Sequence, residues 1–156
     1  RMDEAVKAAN FEALEAAVRD CGDVNGRYKR TGNPYLLVLF DTVNHPDRAW
    51  GSWECIQNRV KMVQFLISHG ADTNATGSHF ETPLYWACRY ARHKNARVLA
   101  EHGAALTLKN TIDCTPLDLA LNSTDSNEEI LALFQELAPE LYFSTFCTTN
   151  ISPGGM

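Results

Sequence analysis

No run of about 18 uninterrupted apolar residues is present in the chain, so a membrane-spanning helix is not expected. The first ten residues also lack a basic segment followed by an apolar stretch and a small-residue cleavage site, which predicts a protein that is not secreted. The five cysteines, Cys21, Cys55, Cys88, Cys114 and Cys147, are odd in number and contain no C-x-x-C spacing. They read as free thiols in a reducing, intracellular setting, cytoplasmic or nuclear. Basic residues number 14 against 19 acidic ones, a net charge of −5. That balance argues against a surface built to neutralise nucleic-acid phosphates.

Nucleotide and catalytic motifs are equally scarce. There is no P-loop, no G-x-G-x-x-G, no H-E-x-x-H and no G-x-S-x-G. No catalytic residue, metal, cofactor or small-molecule substrate is therefore expected. A packing role for Cys88 is expected over a Cys88–His93 nucleophilic pair, because the spacing of five takes the two off a shared i, i+4 helix face.

What the chain does have is 156 residues that are 45% hydrophobic, enough for one compact domain, and an internal repeat. Thr82-Pro83-Leu84 recurs as Thr115-Pro116-Leu117, and Gly70-Ala71 recurs as Gly103-Ala104, each at an offset of 33. Asp23-Val24-Asn25 matches Asp72-Thr73-Asn74, and Asn33-Pro34-Tyr35 matches Thr82-Pro83-Leu84, at an offset of 49. The difference between 33 and 49 is an insertion of 16 residues, placed at 42–57 if the second helix of that unit starts at Asn58.

Each repeated piece has a physical reason. Thr82 and Thr115 are N-capping residues, and the prolines behind them occupy the first helical turn, where the missing N–H removes no hydrogen bond. Met62, Val63, Phe65, Leu66 and Ile67 form an apolar stripe on a helix predicted over 58–69, which Gly70 ends in a left-handed conformation. His69 and His102, one period apart, suit the negative end of a helix. No helix pair of this size buries its apolar face unaided, so neighbouring pairs must stack.

A 33-residue period with T-P-L opening one helix and G-A-D-x-N following the next resembles the ankyrin repeat. The resemblance covers about residues 3–137 and implies an all-α repeat solenoid of stacked helix-turn-helix pairs joined by β-hairpin-like loops. The expected units are an N-terminal cap at 3–25, an inserted repeat at 26–74, a regular repeat at 75–107 and a last repeat at 108–137. In the cap, Ala13, Leu14, Ala17 and Val18 should face inward. Residues 138–156 are expected to be a partly ordered tail whose aromatics, Tyr142, Phe143 and Phe146, cover the end of the array. A docking motif is the alternative.

The resemblance also implies a non-enzymatic module that binds a protein or peptide on its concave face, or else a regulatory or targeting region of a larger enzyme. Carried over residue by residue, the partner-binding positions are Lys29, Arg30, His69, Ser78, His79, Glu81, Arg89, Tyr90, His102, Thr111 and Ile112. Arg89 and Tyr90 lead because large side chains with directed hydrogen bonds anchor interfaces. The alternative reading leaves Arg89 solvated and packs Tyr90 on the next repeat. A strip of Arg27, Lys29, Arg30, Arg89, Arg92 and Lys94 suits an acidic partner, unless it is charged surface without a specific role.

Trp50 and Trp53, within the insertion, are loop anchors or a second partner site. Phe80, Ala91 and Asp113 stand where a family member commonly has glycine. Asn74 resembles sites modified by asparaginyl hydroxylases, but an ordinary hairpin asparagine is the expected reading. Partner identity and oligomeric state have no counterpart in these motifs.

Overall fold

A computed structural model of the chain describes residues 1–40, 53–122 and 127–150, apart from the side chains of 21, 53–56, 146 and 148–150. Within them lie nine helices: α1 (Met2–Lys7), α2 (Phe11–Cys21), α3 (Tyr35–Val38), α4 (Trp53–Ser68), α5 (Pro83–Arg89), α6 (His93–Glu101), α7 (Pro116–Asn122), α8 (Glu128–Leu137) and α9 (Pro139–Asn150). They pack in two rows. The first helices of successive units, α1, α3, α5 and α7, touch in sequence, and so do the second helices, α2, α4, α6 and α8. The architecture is the expected all-α solenoid. Its only β-type pairing among the described residues is the Arg27–Pro34 bridge in the first hairpin.

The starts and stops follow local chemistry. The Thr82 hydroxyl accepts from the Tyr85 N–H at 3.1 Å, with Pro83 as the first helical residue. Thr115 and Asp118 cap each other: Thr115 Oγ1 accepts from the Asp118 N–H at 3.2 Å, and the Asp118 carboxylate accepts from the Thr115 N–H at 2.8 Å. Gly70 and Gly103, at φ of 87° and 85°, close α4 and α6. The residues after them return to the helix, Ala71 N–H to Leu66 O at 2.9 Å and Ala104 N–H to Leu99 O at 3.0 Å.

The core runs continuously between the rows. Leu14, Met62, Val63, Leu66, Leu84, Ala87, Cys88, Ala96, Leu99 and Ile130 have no measurable exposure, while Phe65 and Ile67 complete the α4 stripe as partly buried neighbours. Cys88 is a packing residue whose burial pushes its thiol pKa up. Across the stack, asparagines tie one unit to the next. Asn25 donates to Gly70 O at 3.0 Å and accepts from the Asp72 N–H at 2.8 Å. Asn74 repeats the device, donating to Gly103 O at 3.3 Å and accepting from the Ala105 N–H at 2.7 Å. One period on, Thr107 has replaced the asparagine.

Three expectations need correcting. Helix α4 begins at Trp53, five residues ahead of Asn58, because neither proline nor glycine interrupts 53–69 and extension of an existing helix is favourable. Trp53 thus belongs to a helix; Trp50 and the side chain of Trp53 lie outside the described residues. Ala13 is exposed, with Ala8 and Ala16, on the outer side of the first pair. The tail forms α9, started by Pro139 and packed on α7 and α8. Tyr142 is buried there, but Phe143 is 59% exposed, so covering the end falls to Tyr142 and Leu141.

Replacing Asn74 with alanine removes both halves of an inter-unit tie and leaves a carbonyl and an N–H without their partner. Chemical denaturation of Asn74→Ala should show a loss of about 1–3 kcal/mol, and Thr107→Ala a change within about 0.5 kcal/mol.

Candidate functional site: the hairpin tips and the end of helix α5

The second hairpin reverses the chain at Ser78, His79 and Phe80, and the third at Thr111, Ile112 and Asp113. Each is closed by its own backbone: Gly77 N–H to Glu81 O at 3.1 Å in the former, Asn110 N–H to Cys114 O at 3.1 Å in the latter. The Asn110 side chain accepts from the N–H groups of Ile112 and Cys114, both at 3.0 Å, and donates to the Tyr85 hydroxyl at 3.0 Å. The Thr111 N–H donates to His79 O at 3.1 Å, joining the two tips. These contacts hold the loops rigidly while Phe80 and Ile112 stand 63% and 76% exposed.

All three positions where glycine is common take the backbone that glycine would. Phe80, Ala91 and Asp113 have φ of 56°, 52° and 60°, and Ala9, at the same place in the first unit as Ala91, has 49°. For L residues the left-handed region carries a steric cost, which a short polar side chain such as Asp relieves by local hydrogen bonding. Phe80 therefore bears strain that no burial offsets, an arrangement that points to a task for the side chain.

At the other end of α5, the i, i+3, i+4 spacing places Trp86, Arg89 and Tyr90 on one face. The Trp86 and Tyr90 ring centroids are 5.5 Å apart. The Arg89 guanidinium carbon lies 5.7 Å from the Trp86 centroid and 6.0 Å from that of Tyr90. Tyr90 packs on its own helix; Arg89 is exposed and stacked on rings. Cation–π attraction of about 0.5–1 kcal/mol at an exposed site restricts the guanidinium before any partner arrives. Trp86 was not among the residues singled out from the sequence, and its buried Nε1 has no acceptor among the described residues.

Basic residues divide between the two rows. On second helices Arg19 reaches Glu15 at 3.6 Å, His93 Glu129 at 2.9 Å, and Arg97 Glu101 at 3.7 Å and Glu136 at 3.2 Å, whereas Lys61 on α4 has no carboxylate in ion-pair range among the described residues. Arg27 is occupied by carbonyls, Gly32 O at 2.8 Å and Thr76 O at 3.5 Å. Lys29, Arg30, Arg89 and Arg92, on the hairpins and at the end of α5, have no carboxylate in ion-pair range among the described residues. Three acidic groups on that side are engaged locally: Asp3 accepts from the Tyr35 hydroxyl at 2.7 Å, Asp23 from the Asn25 N–H at 3.1 Å, and Asp118 in its cap, whereas Glu81 at the second tip has no ion pair among the described residues. Lys109 and Asp113 pair with each other at 3.7 Å.

The remaining candidates scatter. His69 and His102 sit at the ends of α4 and α6, where each Nδ1 donates to the carbonyl four residues earlier, Phe65 O at 2.9 Å and Val98 O at 2.8 Å. His69 also stacks on Phe65, with centroids 4.1 Å apart. Their geometry is that of helix caps on the second row, away from the tips. Asn74 is committed by both carboxamide groups to the inter-unit tie described above. Ser78, His79 and Thr111 share the joined tips with Ile112, and Glu81 is half-buried beside them.

Comparison with known proteins agrees with this architecture. The family model for ankyrin repeats, in three copies, matches residues 52–140, more than half of the chain, which therefore belongs to the ankyrin-repeat family. Ankyrin repeats are protein-interaction modules. Over 83 residues, 53% of this chain, it is 36% identical to palmitoyltransferase AKR1 of Lachancea kluyveri, of which it covers 11%. It is 40% identical over 70 residues, 42% of the chain, to 11% of mouse palmitoyltransferase ZDHHC13. It is also 42% identical over 65 residues, again 42% of the chain, to 22% of zebrafish ankyrin repeat and SOCS box protein 11. The chain thus spans a small fraction of the length of these curated relatives. No helix among the described residues is long and apolar enough to cross a membrane.

Phe80→Gly exchanges a left-handed cost of about 1–2 kcal/mol for an unfolded-state entropy penalty of about 0.4–1 kcal/mol. Thermal unfolding should show a gain of about 0.5–1 kcal/mol, and Asp113→Gly almost none. For Cys88 the raised folded pKa gives a definite sign. The unfolded thiol ionises near pH 8.5 while the folded one keeps its proton, so the contribution is complete below that pH and lost as pH rises above it. Cys88→Ala should flatten the alkaline fall in stability, and maleimide should label exposed Cys147 well before Cys88 in the folded chain.

Proposed function

We propose that the chain is a non-enzymatic protein-interaction module that holds a partner protein or peptide on the concave side of the solenoid, formed by the first helices and their hairpins. One observation carries this reading: Arg89 is held over Trp86 and Tyr90 with no carboxylate of its own among the described residues, on the row where Lys29, Arg30 and Arg92 are also without one. A pre-positioned guanidinium beside aromatic surface combines contact area with directed hydrogen bonds at low entropy cost. Ser78, His79, Glu81, Thr111 and Ile112 extend the surface along the tips. His69 and His102 contribute chiefly as caps.

A second reading has an observation of its own. Two of the relatives are palmitoyltransferases in which the matched region is 11% of the protein, which favours a binding region serving a larger enzyme. The same surface serves either case, and the natural full-length open reading frame separates them: a catalytic domain in the same chain supports the second, and its absence overturns it.

Affinity capture from cell lysate, with wild type and an Arg89→Ala/Tyr90→Ala variant shown to be folded, tests the module. A partner recovered by wild type and reduced at least about tenfold by the variant is expected. Equal recovery by both overturns the placement. A Trp50→Ala/Trp53→Ala variant that alone loses the partner would move the site to the insertion.

A further inference from the structure

Phe80 and Ile112 are two exposed apolar residues on adjoining tips. The pair is rigid, because each hairpin is closed by its own hydrogen bonds and Thr111 N–H to His79 O joins them at 3.1 Å. It is exposed, at 63% and 76%, and it persists although glycine in place of Phe80 would relieve the backbone at φ 56°. Along the same row, on the first hairpin and beyond the far end of α5, stand Lys29, Arg30, Arg89 and Arg92 without carboxylate partners among the described residues, while Asp3, Asp23 and Asp118 are spent on turns and caps and Glu81 stands at the tip itself. Charge and apolar surface point to the same occupant.

Resting on the interaction-module reading above, we infer that the partner presents a short extended segment that is acidic and apolar together. Its large aliphatic or aromatic side chain sits against Phe80 and Ile112, and its Asp or Glu reaches the Arg89 guanidinium. The rise of α5 from Thr82 to Arg89 is roughly 10 Å at 1.5 Å per residue. With the hairpin added, an extended chain at about 3.3 Å per residue bridges the two contacts in about four to six residues. The apolar contact supplies area removed from water and the carboxylate supplies a bidentate, charge-assisted pair that fixes direction. Glu81 at the tips repels a carboxylate there, and the Lys109–Asp113 pair is neutral, which places the acidic residue of the segment at the Arg89 end and its apolar residue at the tips.

Random 12-residue peptides displayed on phage and selected on the full chain test this directly. Enriched sequences should carry Asp or Glu about four to six residues from Leu, Ile, Phe or Met. A synthetic peptide of the enriched sequence should bind Phe80→Gly and Arg89→Ala each at least about tenfold more weakly, and should weaken further as salt rises from 50 to 300 mM. Because Phe80→Gly is expected to gain stability, its lost binding reads as lost contact. Enriched peptides without acidic bias, or ones indifferent to both variants, would overturn the inference. If those peptides were still lost on Arg89→Ala/Tyr90→Ala, the module reading would stand and only the partner chemistry would fall. Absence of any enrichment would overturn recognition of a short linear segment, leaving lysate capture to judge the module itself.

Discussion

Everything in this chain depends on stacking, since a pair of helices of 4 to 16 residues leaves an apolar face that only another pair covers. The asparagine ties make that stacking specific. Asn25 and Asn74 each use one carboxamide to satisfy a carbonyl and an N–H of the following unit, so the register between units is set by hydrogen bonds as well as by packing. The tie lapses at Thr107, before the last unit, and on the far side of that unit helix α9 closes the array with Tyr142 buried there.

Stacking also divides labour between the rows. The second-helix row is consolidated by contacts between units, His93 Nε2 against the Glu129 carboxylate and the Arg97–Glu136 ion pair, and His69 and His102 are consumed as caps. The first-helix row leaves Lys29, Arg30, Arg89 and Arg92 without a carboxylate among the described residues and exposes Phe80 and Ile112 on its tips. Surface ion pairs add little stability individually; their consequence here is that, Lys61 on α4 apart, most arginine and lysine side chains left without a carboxylate among the described residues lie on the hairpin side. A non-glycine residue in a left-handed turn costs stability in the folded molecule. At Ala91 and Ala9 that cost buys nothing visible, whereas at Phe80 it places a ring in solvent next to Ile112.

The repeat was readable because its signals are local: a threonine cap before proline, a glycine after an apolar stripe, a fixed offset between them. The features that escaped are those in which tertiary contact outweighs local pattern. Helix α9 has a sequence rich in Thr, Ser and Phe without a clear 3.6-residue stripe, and it is helical because Leu141 and Tyr142 find the end of the stack. Ala13 fits an apolar stripe by composition but lies on the outer face. Arg89 and Tyr90 were evident from their positions in the repeat. Trp86 was not, since its i, i+4 partnership with Tyr90 matters only once one knows that α5 leaves that face half open. Phe80 drew notice as a departure from glycine, and its meaning as an exposed group emerged only from the turn geometry.

The central claim is that recognition belongs to the hairpin and first-helix row. Amide chemical shifts of the isotopically labelled chain, followed during titration with a captured partner, test it most directly. Perturbations concentrated at 76–82, 89–92 and 109–115 are predicted, with 58–68, 93–101 and 128–137 nearly still. Perturbations confined to those second-helix segments would contradict the account.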